Sequence, residues 1–146
     1  MRRHDDTNTI FARNVFAFAG IWGLVLLTPL YFSFDVIGST YPPPITHPDF
    51  FYAFVGVAIA WQMGFLFIAR DPAALHPMMV PAMLEKFTYV LTLIVLYAQG
   101  RLHFGQFLLA IPDFVLGVLF AVAFLRLEAG RHLHTWSAGY SRAIGD

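Results

Sequence analysis

The chain has 146 residues, 58% of them hydrophobic and 12% charged, with a mean hydropathy of +0.64. A soluble domain of this size could not hide so much apolar surface, because small domains keep a large fraction of their residues at the boundary with water. Nine basic residues balance nine acidic ones, so there is no field to hold nucleic acid, and the lack of cysteine excludes disulfides, thiolate metal sites and thiol redox chemistry.

The first apolar segment, residues 15–34, reads "VFAFAGIWGLVLLTPLYFSF". It is close to the ~20 residues that cross ~30 Å of hydrocarbon as a helix. It is too long for the core of a cleavable leader, and Tyr31–Asp35 offers no small-residue cleavage site, so it is expected to stay as an anchor. The connection that follows, "DVIGSTYPPPITHPDF", is the longest in the chain. Pro42–Pro44 predict a polyproline-type stretch there, and Asp35, His47 and Asp49 fall in what reads as an ordered lid over one end of a bundle.

The second segment, residues 51–69, carries Gln62 deep within it. Gly56, Ala60 and Gly64 recur at four-residue spacing and predict a small-residue seam against another helix, as do Ala19 and Gly23 on the first. Arg70–Asp71–Pro72 reads as a turn with a local cap or ion pair. The third segment, residues 79–98, has two helix starts open to it, Pro77 and Pro81. The shallow start lets Lys86 snorkel to the headgroups; the deep one leaves Glu85 and Lys86 in hydrocarbon. Thr88, Tyr89 and Thr92 follow Glu85 on one helical face, a stripe that is expected to face other helices.

The fourth segment, residues 104–125, contains Asp113 directly after Pro112, where a kink is expected. Gln106, Ala110 and Gly117 share its face. A lone carboxyl at the bilayer centre costs at least ~2.5–3.5 kcal/mol, so it has to be protonated, paired or hydrated. Antiparallel bookkeeping brings Gln62 to nearly the depth of a deep Glu85, with Asp113 roughly one helical turn further out, ~5 Å, so that three helices supply polar groups to one layer. Gln62, Glu85, Lys86, Tyr89 and Asp113 are therefore the candidate ligand-binding residues. With no evident cation at its level, Asp113 is the expected neutral acid, while Lys86 attends Glu85.

These four segments predict an all-α, membrane-embedded four-helix bundle spanning the chain as a single domain, 1–146. Arg2, Arg3, Arg13, Arg70, Arg126, Arg131 and Arg142 fall on one side and Arg101 on the other, which puts both termini in the cytoplasm. Tyr31, Tyr41, Phe50, Phe51, Tyr52 and Tyr97 gather at the opposite face. Of the histidines, His47 and His103 belong to the outer side and His76, His132 and His134 to the inner side, where His132 and His134 read as part of a polar tail. None lies where a membrane haem takes facing ligands, and His132 and His134 diverge on a helix. No metal site is expected, and no sequence pattern for a known catalytic site is present.

The block "WQMGFLFIARDPAALHPMMVPAMLEKFTY", residues 61–89, resembles a stretch of small uncharacterised bacterial four-helix membrane proteins, and in size and layout the chain is similar to the DoxX-like group. The resemblance implies an inner-membrane location and a link to quinone chemistry. It carries over no functional residue. Two functions then compete. One is a bundle that binds a lipophilic molecule, quinone- or isoprenoid-like, at the polar layer. The other is an accessory subunit of a larger membrane complex, or a homo-oligomer, whose aromatic faces pack on partner helices while the polar layer fixes register.

Overall fold

The computed structural model describes the backbone at residues 2–40 and 45–143, and side chains at 7–40 and 45–130. Helix α1 runs Arg2–Leu27, far earlier than the apolar run alone predicts, because the polar "RRHDDTNT" segment extends the same helix. It tightens into a 3-10 turn at Thr28–Phe32, where Pro29 lacks the N–H that an α-helix would use. A short helix, α2, occupies Phe34–Thr40. Pro42–Pro44 and Tyr41 lie outside the described residues.

Helix α3 spans Pro48–Arg70 and is bounded as its sequence dictates. Pro48 stands in the first turn, where its missing N–H costs nothing, with Asp49 beside it; Arg70 closes the last turn. Asp71 Oδ1 accepts from the Ala74 N–H at 3.0 Å, so the turn is held by a cap rather than an ion pair. Helix α4, Met79–Ala98, is entered through a 3-10 turn at His76–Met78, which settles the start in favour of the deeper choice.

The fourth segment is broken. Helix α5 covers only Phe104–Phe107, and α6 runs Ala110–Ala143, well past the expected end at 125. Pro112 explains the break. Its ring crowds the carbonyl of Leu108, four residues back, and that carbonyl instead accepts from the Ile111 N–H at 3.1 Å. Four helical stretches, Thr7–Phe32, Pro48–Arg70, His76–Ala98 and Phe104–Gly130, are long and apolar enough to cross a membrane.

The helices pack in the order α3, α1, α6, α4, and the outer two, α3 and α4, barely touch. The main core lies toward the Arg70 end. There Phe16 stacks on Phe120 at 4.1 Å, and Phe65 meets the Phe120 ring edge-on at 5.0 Å; all three are fully buried. Ala12, Met79, Ala82 and Ala123 complete that layer. Toward the Pro48 end a smaller cluster of Val90, Leu93 and Ala110 joins only α4 to α6. Aromatic stacking ties the other pair at its tip, Tyr31 on Tyr52 at 5.9 Å and Phe34 on Tyr52 at 5.7 Å. The bundle is thus sealed at one end and parts into two helix pairs at the other. Its outer faces are studded with exposed Phe, Val, Leu and Ile, a surface suited to hydrocarbon.

The seam between α1 and α3 differs from the expected one. A Cβ on Gly20 would come within 2.9 Å of the Gln62 carbonyl oxygen, and one on Gly23 would overlap the Gln62 side chain. Ala19 is buried as expected. Ala60, however, is exposed, and a Cβ on Gly64 would meet only Trp61 of its own helix. Gly56 does face a neighbour as expected, since a Cβ there would lie 3.3 Å from the Tyr31 hydroxyl. The closest approach is made by Gly20 and Gly23 of α1, and α3 answers with Gln62 and Leu66. Spacing alone could not tell which small residues face a neighbour.

Candidate functional site: a charged floor under a lateral cleft

Lys86 does not snorkel. Its side chain is only 8% exposed, and Nζ lies 2.6 Å from Asp113 Oδ1 and 3.3 Å from Glu85 Oε2. The ammonium also sits 5.4 Å over the ring of Phe65, so the aromatic core closes the space beneath it. Asp113 is reached because α6 starts late: it stands in the first turn of α6, where the helix dipole favours a carboxylate. A Cβ at Gly117 would lie 3.3 Å from Lys86 Cβ, so glycine at this point lets α4 and α6 come together at the pair. This overturns the expectation that Asp113 has no cation at its level. The bookkeeping that set it a turn away ignored the reach of a lysine stem.

Glu85 is the less well held of the two acids. Its Oε2 approaches the ammonium without hydrogen-bond geometry and is shut off from any other partner. Gln62 is 2% exposed and donates from Nε2 to the Ala58 carbonyl at 3.1 Å. Tyr89 stands half-buried against the Val90–Leu93 cluster. Gln106 does not join them. Its Oε1 accepts from the His103 N–H at 3.1 Å, capping α5 at the far end.

Gln62, Glu85, Lys86, Tyr89 and Asp113 all line one cavity of about 710 Å³. The cavity sits in the half of the bundle where the two helix pairs part. Its walls are Trp22, Leu26, Phe54, Val57, Trp61 and Leu84, with Thr88 and Thr92 continuing the stripe above Glu85. Phe54, Val57 and Leu84 are each more than half exposed, so the cavity is a cleft open to the side rather than a closed chamber. The Thr92 hydroxyl is satisfied within α4 by the Thr88 carbonyl at 2.9 Å. The wall aromatics escaped the sequence reading. Trp61 directly precedes Gln62, but an aromatic in an apolar helix carries no sign of which way it faces.

His76, which follows the Arg70–Asp71–Pro72 turn, is drawn into the bundle. It is buried, stacked on Phe124 at 4.2 Å, with Nε2 3.2 Å from the Phe124 carbonyl and 3.4 Å from Glu128 Oε2. It pins the start of α4 to α6 at the sealed end. The side chains of His132 and His134 lie outside the described residues. Among the described residues no group of three or more His, Asp or Glu is placed to hold a metal ion.

Fold and cleft together define a helical protein with four helices long and apolar enough to span a membrane, carrying a charged layer at the base of a side-opening cleft. No protein-family model, curated protein or solved structure matches the chain.

Proposed function

We propose that this chain is an integral protein of the bacterial cytoplasmic membrane that takes a lipophilic molecule from the bilayer into the cleft. The observation that carries the reading is the cleft itself. A space of about 710 Å³ with apolar walls ends on a buried Lys86–Asp113–Glu85 cluster, with Gln62 and Tyr89 beside it. Its volume is in the range of small-molecule pockets, ~300–1,000 Å³, and its few polar groups converge at one end, as they do where a head is oriented. A quinone- or isoprenoid-like body fits such walls. An ionisable cluster at membrane depth has a functional role by default. The test is gentle purification followed by extraction and mass spectrometry of bound small molecules. A discrete lipophile is expected with the wild type and is expected to be lost from Thr88→Trp, which puts a large side chain into the cleft.

A second reading, an accessory subunit of a larger complex or a homo-oligomer, is favoured by one observation. Phe18 and Trp22 of α1 stack at 6.1 Å while both remain exposed, an aromatic face that a partner helix would cover. The same purification separates the two. A stoichiometric protein partner without a lipophile supports the subunit.

A further inference from the structure

The floor of the cleft is short of one positive charge. Glu85 and Asp113 bring two carboxyl groups to a single ammonium, and Lys86 is committed first to Asp113 at 2.6 Å. Glu85 Oε2 accepts no hydrogen bond, while the Glu85 side chain as a whole stays 24% exposed at the cleft. Of the donors nearby, Gln62 Nε2 gives an N–H to the Ala58 carbonyl, and the Thr92 hydroxyl is held by the Thr88 carbonyl. The Glu85 carboxyl group is the acceptor that the floor still offers a guest. In a low-dielectric site an unbalanced charge is costly, so the missing positive charge comes from a proton on a carboxyl or from a cation in the cleft. The walls suit the second. Trp22, Phe54, Trp61 and Tyr89 line the space, and the faces of such rings attract cations.

We propose that the cleft selects lipophilic monocations that carry N–H donors, that is, long-chain or aromatic amines in their protonated form. The ammonium head sets against the Glu85 carboxylate, and the apolar body lies along Trp22, Phe54 and Trp61 toward the opening. This rests on the reading of the cleft as a lipophile site and fixes the sign and hydrogen-bonding character of the head. An anionic head would face two carboxyl groups.

The test uses the full chain in nanodiscs of phosphatidylcholine, with Trp136→Phe so that fluorescence reports only Trp22 and Trp61 of its three tryptophans. Three probes share one tail: dodecylamine, dodecyltrimethylammonium and dodecanol. Thr88→Phe, which crowds the cleft without adding a tryptophan, supplies the baseline for partition into lipid alone. Dodecylamine is expected to bind at least about tenfold more tightly than dodecanol, a gap of ~1.4 kcal/mol. Glu85→Gln, close in shape, is expected to erase that gap. Equal binding of dodecylamine and dodecanol by the wild type overturns the cation selectivity while the lipophile site stands. Equal binding of dodecylamine and dodecyltrimethylammonium overturns the need for N–H donors. A gap that survives Glu85→Gln removes Glu85 as its cause. If no probe binds above the Thr88→Phe baseline, the lipophile site itself falls.

Discussion

The ammonium of Lys86 and the carboxylate of Asp113 meet at 2.6 Å across the α4–α6 contact, inside a segment that otherwise reads as lipid-soluble. The pair joins two helices that also pack through apolar side chains such as Val90, Leu93 and Ala110. Breaking a buried pair by removing one partner costs far more than replacing both, because a single charge is left behind. Lys86→Met is therefore expected to destabilise the protein by about 3–5 kcal/mol, and Lys86→Met with Asp113→Leu by much less. Thermal unfolding in detergent, arranged as a double-mutant cycle, measures the coupling. Additive losses would mean that the contact does not hold the helices.

The α1–α3 seam gives a prediction with an internal control. Gly20→Val would push a side chain into Leu66 and the backbone of Gln62, at a cost of about 1–3 kcal/mol. Ala60→Leu, on an exposed face, is expected to change stability little. Melting temperatures of the two variants decide which face of α3 carries the contact. The reverse order would restore the seam that spacing alone suggests.

His76 makes a stacking contact and a hydrogen bond that substitution can separate. His76→Phe keeps a ring on Phe124 and loses the bond to its carbonyl, a loss of about 0.5–1.5 kcal/mol. His76→Ala loses both and is expected to melt lowest. Equal melting of the two would show that the ring contact contributes nothing.

The arginine bias predicts an orientation with both termini and the Arg70–Pro77 loop in the cytoplasm. An impermeant thiol reagent on intact cells is then expected to label Thr46→Cys and spare Ser141→Cys. The opposite labelling pattern would invert the orientation.

The sequence already shows much of this site, for a definite physical reason. Charged and amide side chains are so costly in hydrocarbon that their presence in an apolar run marks them, and antiparallel helices of similar length bring them to one level. Gln62, Glu85, Lys86, Tyr89 and Asp113 do meet around one cavity. The pairing among them was not legible. Lys86 bonds to Asp113 more closely than to its chain neighbour Glu85, and only the α4–α6 approach at Gly117 decides that. Apolar residues carry no comparable mark. Nothing in the order of glycines, alanines and tryptophans says which faces seal the core and which line the cleft. The same holds for His76, whose partners lie in a helix distant in sequence.

The parting of the helix pairs has a consequence for how any affinity of this protein is to be expressed. A slot that opens sideways into hydrocarbon is wetted by acyl chains, which are as apolar as its leucine walls. On the proposed reading a guest would not enter from water. It would change places with a lipid tail, and the gain would be the difference between its head and a methylene at the Glu85–Lys86 level. The natural concentration scale is then mole fraction in one leaflet, and occupancy would vary with chain length and saturation of the host lipid even when the amount of guest per volume of buffer is held fixed.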